Sequence, residues 1–265
     1  MLWILMLTGC QKCDIGEACR VDDGRYFVMS PTGWDGEQPL PMLLHAHGWG
    51  GSPEVYLDRA DIQATLDTHQ ILLVLPEGKD ATWSIDHMGL VGNGRSEVAF
   101  IDDVLADAQS RWPIDDSRIY VSGFSLGASL VYTLACERGD VFAAAAPVSG
   151  GFWMPLPESC SAPTIPICHI HGNNDPTWPI EGGRVLALGP EEGTHASVED
   201  DVAFWRTHNA CTETAIERTA DVLTCTTWSE CEDDVFVELC THGGGHEQFE
   251  NFLEREVEWM MQYSR

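Results

Sequence analysis

Ser125 stands in Gly123-Phe124-Ser125-Leu126-Gly127, a G-x-S-x-G pattern. A serine hydroxyl becomes a useful nucleophile when a base takes its proton, and that base is usually a histidine oriented by a carboxylate. Downstream, Asp175 sits in Asn173-Asn174-Asp175-Pro176, and His246 closes Thr241-His242-Gly243-Gly244-Gly245-His246. Serine, acid and histidine in that order allow nucleophilic attack on a carbonyl. His246 is the preferred base, because three glycines let the backbone bend its imidazole back over Ser125; His242 is second. A plain turn aspartate before proline is the bland alternative for Asp175.

These residues need rigid supports. Arg118-Ile119-Tyr120-Val121-Ser122 is an apolar run suited to a buried strand, and 128–135 can carry a helix. Strand, tight turn and helix is the context that makes G-x-S-x-G a nucleophile elbow, with glycines sparing side chains that would clash in the turn. Residues 165–172 and 235–240 read as strands leading into the acid and the base. Residues 41–44 read as another strand, followed by His45-Ala46-His47-Gly48-Trp49-Gly50-Gly51. That segment is similar to the histidine-glycine loop of lipases and esterases, where one backbone N–H and the N–H after the nucleophile hold an oxyanion. The corresponding amides are those of Trp49 and Leu126.

Together with Asp115-Asp116-Ser117-Arg118-Ile119-Tyr120-Val121, Val141-Phe142-Ala143-Ala144 through Pro147-Val148-Ser149-Gly150, and His171-Gly172-Asn173-Asn174-Asp175, these motifs resemble one esterase family. It includes polyhydroxybutyrate depolymerases, feruloyl esterases and some acetylxylan esterases. The likeness spans about residues 25 to 260. It implies an α/β-hydrolase fold, with a mostly parallel central sheet and helices on both faces. It also implies a Ser125-His246-Asp175 triad acting on an ester through an acyl-enzyme, without metal or organic cofactor. Feruloyl, acetyl and hydroxyalkanoate groups all remain open as the acyl part. Two departures stand out: Glu247-Gln248-Phe249 replaces a tryptophan-proline-glycine run after the histidine, and Gly127 is followed by Ala128 rather than glycine. Two rival readings are a peptidase on the same fold and an inactive surface polymer-binding lipoprotein.

Phe124 and Trp178 are candidates to line an acyl pocket, with Trp49 and Trp153 nearby; core packing is the ordinary role for each. His169 and His171 are one residue apart and so face one side of a strand. That suits packing or hydrogen bonding, and a metal pair there lacks a third ligand. Residues 71–75 read as a core strand. Residues 98–108 read as an amphipathic helix with Asp102-Asp103 on a solvated face, and Phe249, Phe252, Leu253, Val257, Met260 and Met261 have the spacing of a closing helix.

The 265 residues suit one α/β domain, expected over 25–265, after a short N-terminal segment over 1–24. The formal charge of −28, with only 14 Lys and Arg, repels nucleic acid and anionic lipid. Met1-Leu2-Trp3-Ile4-Leu5-Met6-Leu7 is apolar but too short to span a bilayer. With Leu7-Thr8-Gly9-Cys10 it resembles a bacterial lipoprotein signal, without the positive residues that open a secretory signal. Lipidation of Cys10 would then be the one membrane contact. Ten cysteines argue for an oxidising compartment. Cys13 and Cys19 can close a small loop, and Cys160 and Cys168 flank a proline-rich loop. Cys211, Cys225, Cys231 and Cys240 admit three connectivities. They lack the C-x-x-C pair of a zinc site, and Cys136 is the candidate free thiol.

Overall fold

A computed structural model of the chain describes residues 13–85, 94–185, 193–249 and 251–265. Cys10 and its lipobox-like run lie outside them. The chain forms β1 (Cys19–Val21), β2 (Gly24–Met29), β3 (Leu40–Ala46), α1 (Glu54–Leu57), α2 (Ala60–His69), β4 (Leu72–Pro76) and α3 (Glu97–Arg111). There follow β5 (Ile114–Phe124), α4 (Leu126–Arg138), β6 (Ala144–Val148), β7 (Ile167–Gly172), β8 (Gly183–Arg184) and β9 (Thr194–His195). The last elements are α5 (Val198–His208), β10 (Ile216–Ala220), β11 (Leu223–Trp228), β12 (Val237–His242) and α6 (Phe252–Met260).

One ten-stranded sheet runs in the order β1-β2-β4-β3-β5-β6-β7-β12-β11-β10. Its middle, from β4 to β12, is parallel, and antiparallel strands finish both edges. Strands β3, β4, β6 and β7 are buried along their whole length because helices cover both faces, and β4 and β6 accordingly read as apolar runs. Helices α3, α4 and α5 pack their apolar residues on one face; α2 and α6 cover the other. This is the doubly covered, mostly parallel sheet expected from the sequence. Helix α4, apolar on every side, sinks against β3, β5 and β6. Ser96 and Ser197 cap α3 and α5 through the amides of Ala99 and Asp200. Asp102 on α3 meets Arg138 at the end of α4 in a half-buried ion pair.

Four disulfides join Cys13–Cys19, Cys136–Cys160, Cys211–Cys231 and Cys225–Cys240. Such a set belongs to an oxidising environment. Cys136 is therefore bonded, not free; among the described residues the free thiol is the buried Cys168. The reason is tertiary. The chain after α4 folds back so that the amides of Ser161 and Ala162 both donate to the Cys136 carbonyl, which brings Cys160 alongside.

Candidate active site

The C-terminal ends of the parallel strands lie along one edge of the sheet, where open α/β sheets bind ligands. β5 delivers Ser125 there. The serine has φ 57° and ψ −120°, a strained backbone for any side chain. It is held by its own N–H donating to the Val148 carbonyl at 2.8 Å. The turn closes so tightly that a Cβ on Gly127 would stand 2.2 Å from the Ala46 carbonyl oxygen, and one on Gly123 2.5 Å from that of Gly127. Only glycine fits at either place.

β7 and β12 are adjacent and parallel, with Gly172 level with His242. The acid turn and the base loop therefore leave the sheet side by side. The Asn173 amide donates to the His242 carbonyl at 2.7 Å and the Asn174 amide to that of Gly244 at 3.0 Å. Asp175 is nearly buried. Its Oδ1 accepts from the Thr177 and Trp178 amides at 2.8 and 2.7 Å, which leaves Oδ2 free to accept from His246 Nδ1 at 2.7 Å. Ser125 Oγ donates to His246 Nε2 at 2.9 Å. The structure thus brings Ser125, His246 and Asp175 into one line. Burial alone would raise the Asp175 carboxyl. The His246 hydrogen bond and the Trp178 and Thr177 amides outweigh it and hold the carboxyl below its ordinary value.

His242, the second candidate base, points elsewhere. It is buried against Phe249, and its Nδ1 accepts from the Gly244 amide at 3.1 Å.

β3 delivers the His47-Gly48-Trp49 loop. A Cβ on Gly48 would lie 3.3 Å from that of Ser125, so this backbone passes directly beside the serine. Leu126 opens α4, where first-turn N–H groups have no partner within the helix and face its positive end. Both candidate oxyanion residues border a cavity of about 200 Å³ over Ser125. Its wall comprises Gly48, Trp49, Phe124, Leu126, Thr177, Trp178, Val185 and His246. Phe124 and Trp178 are thus in the wall, whereas Trp153 is core, edge-on to the Trp178 ring at 5.1 Å. Trp49 is 57% exposed at the rim.

Three supports escaped the sequence reading. His47 pins the loop: Nε2 accepts from the Gly78 amide at 2.9 Å, Nδ1 donates to the Gly48 carbonyl at 2.8 Å, and Trp83 Nε1 donates to the His47 carbonyl at 2.7 Å. Burial pushes this imidazole below its ordinary value, as the neutral form in those bonds requires. Gln248, two residues past His246, donates to His45 Nε2 at 3.1 Å, and His45 Nδ1 donates to Ser122 Oγ at 2.7 Å. Glu256 of α6 lies buried beneath, 3.9 Å from His45 Nδ1. A glutamate in the middle of an apolar helical stripe was the available signal for the last.

A family model described as phospholipase/carboxylesterase matches residues 96–188. A probable feruloyl esterase C of Aspergillus flavus is 28% identical over 217 residues, covering 73% of this chain and 76% of that protein. Feruloyl esterase C of Emericella nidulans is 30% identical over 173 residues, covering 62% of this chain and 60% of that protein. An acetyl xylan esterase from Aspergillus awamori superposes with a TM-score of 0.65 at 16% identity, over 90% of this chain and 94% of that one. A poly(3-hydroxybutyrate) depolymerase from Bordetella parapertussis gives 0.52 at 19% identity, over 71% and 72%. These structural likenesses speak to the fold alone.

Proposed function

We propose that this α/β-hydrolase, a sequence relative of feruloyl esterases, is a carboxylic ester hydrolase whose nucleophile is Ser125. The observation that carries the reading is the line Ser125 Oγ–His246 Nε2 at 2.9 Å and His246 Nδ1–Asp175 Oδ2 at 2.7 Å. The Asp175 carboxylate accepts from Nδ1, so Nε2 presents its lone pair to the serine hydroxyl. Ser125 attacks the ester carbonyl as His246 takes its proton, and the Trp49 and Leu126 amides hold the oxyanion. His246 then gives the proton to the departing alcohol. Water repeats the sequence on the acyl-enzyme with His246 again as base.

The acyl group enters the cavity between Phe124, Leu126, Trp178 and Val185, an apolar surround with no lysine or arginine among the described residues that line it. Feruloyl or acetyl esters of plant cell-wall polymers fit both that lining and the relatives' names. The catalytic unit, expected over 25–265, also takes in β1 (Cys19–Val21), which pairs with β2 at the sheet edge and buries Cys19 in the core. Within residues 1–24, the run ending at Cys10 is the export signal, with Cys10 as lipid anchor. An intact mass of the membrane-extracted protein tests the anchor, and an unmodified Met1 terminus would refute it.

An aryl acetate and methyl ferulate assay of wild type and Ser125→Ala tests the chemistry. The variant is expected to fold and to lose several orders of magnitude in rate. Near-normal turnover by a folded Ser125→Ala protein would remove Ser125 from the mechanism.

A further inference from the structure

Behind the acid turn runs a buried line of hydrogen bonds that the triad does not use. Tyr132 on α4 is 2.6 Å from His169 Nδ1, His169 Nε2 is 3.0 Å from His171 Nδ1, and His171 Nε2 is 2.8 Å from the Trp178 carbonyl oxygen. All three side chains are buried. The protons along it have one arrangement. A carbonyl only accepts, so His171 Nε2 donates to Trp178. In a neutral ring Nδ1 must then accept, so His169 Nε2 donates to it. His169 Nδ1 accepts in turn, so the Tyr132 hydroxyl donates. Protonation of His171 would set its Nδ1–H against the His169 Nε2–H, relieved only if His169 changed tautomer and the Tyr132 hydroxyl turned to accept.

We propose that His171 is a positioning residue. Through the Trp178 carbonyl, it and the line behind it hold the turn that presents Asp175 to His246. Trp178 is the joint. Its amide donates to Asp175 Oδ1 at 2.7 Å, its carbonyl accepts from His171, and its side chain borders the cavity over Ser125. If the carbonyl shifts, the amide shifts with it and Asp175 Oδ2 leaves its place opposite His246 Nδ1. The far end of the line stands on α4, the helix that begins at the residue after the nucleophile. One buried path therefore references the acid to the element that carries the serine.

The groups facing this line are Asp175 and His246 from the two loops, His242 at the end of β12, His195 beside Trp178, and Asp201 and Cys168 beside Tyr132. Burial pushes both His169 and His171 below the ordinary imidazole value, which favours the neutral form that His171 needs to accept at Nδ1. His171 Nε2 is 3.7 Å from Asp175 Oδ2. A neutral ring there leaves the carboxylate charge for the imidazolium that forms on His246.

The role rests on Ser125 acting as nucleophile, so Ser125→Ala is assayed alongside; activity in that variant would overturn the nucleophile and the positioning role together, whereas an inactive Ser125→Ala beside an unaffected His171 variant overturns the positioning alone. His171→Leu removes the donor, and His171→Gln keeps an N–H able to reach the Trp178 carbonyl. With folding checked by circular dichroism, His171→Leu is expected to lower kcat about tenfold or more with KM nearly unchanged. It is also expected to move the acidic limb of kcat/KM to lower pH, because a misplaced Asp175 stabilises the imidazolium less. His171→Gln should restore most of kcat and the original limb. A folded His171→Leu protein with wild-type kcat and pH profile overturns the proposal, as does a rise in KM alone. Should His171→Leu fail to fold, His171→Asn, too short to reach the carbonyl, replaces it; equal kcat for the Asn and Gln variants overturns the proposal.

Discussion

Glu256→Gln should remove a pH dependence of stability that the wild-type chain carries. Glu256 is 1% exposed on α6 and packs against His45 of β3 and Ser122 of β5, with Tyr56 and Arg59 beyond. Burial pushes its carboxyl from 4.5 up to about 8, with the Ser122 hydroxyl pulling the other way. His45 cannot compensate, because its own burial pushes it down to about 3 and it stays neutral. The folded state therefore holds a proton that the unfolded chain has already released.

The stabilisation is complete below the unfolded value of 4.5 and is lost as pH rises to about 8. At about 1.36 kcal/mol per pH unit, this is about 5 kcal/mol over the whole window, and roughly 3–4 kcal/mol of it falls between about pH 5 and 8. Glutamine keeps the shape and cannot ionise. Urea unfolding of both proteins at those two pH values is the assay, with the m-value checking that the transition is unchanged. The wild type should lose roughly 3–4 kcal/mol more than Glu256→Gln on going to the higher pH. Asp201 is also held protonated by burial and contributes to both proteins alike, so the difference isolates Glu256. Parallel slopes for the two proteins would refute a buried neutral glutamic acid at this position.

Asp175→Asn should lower kcat by about 10⁴-fold with little change in KM. Oδ1 is held by two amides, so the new NH₂ must face His246 Nδ1 and force the tautomer whose Nε2 cannot accept from Ser125; a loss under tenfold would refute this. His246→Ala should lose far more activity than His242→Ala toward one activated ester, since only His246 meets Ser125; equal losses would contradict the geometry. Replacing Cys225 and Cys240 together by serine should cost about 3 kcal/mol, because that bond closes a loop of sequence separation 15. Chemical denaturation checks it, and an unchanged midpoint would mean the paired strands β11 and β12 hold without it.

What was legible in the sequence follows from where steric necessity leaves a mark. The elbow was readable because Gly123 and Gly127 are the only residues that fit between Ala46 and the serine turn, and β3 and the Ile119–Val121 part of β5 because burial on both faces makes them mostly apolar; β7 was readable despite His169 and His171, from its isoleucines and the turn that ends it. The β10–β11 hairpin was not, since β10 is exposed throughout and has no buried face to impose a period. Glu256 and Asp201 show a different limit. Each interrupts an apolar helical stripe, Phe252-Leu253-Val257-Met260 or Val198-Val202-Trp205. Helix periodicity places such a residue inward, but only the packed layer opposite decides whether it stays charged. The Cys136–Cys160 bond likewise depends on a backbone return that no local pattern announces.

The hydrogen bonds that tie Asn173 and Asn174 to the His242 and Gly244 carbonyls give the molecule a modular property. Strands β7 and β12 are neighbours in space but far apart in sequence, and their loops are clamped together at the sheet edge. Everything threaded between them, from the short β8–β9 ladder through α5 to the outer hairpin, behaves as a cassette whose two ends are pinned. A change of length at the exposed tip of the outer hairpin would therefore leave the spacing of acid and base to the clamp, not to the segment between them.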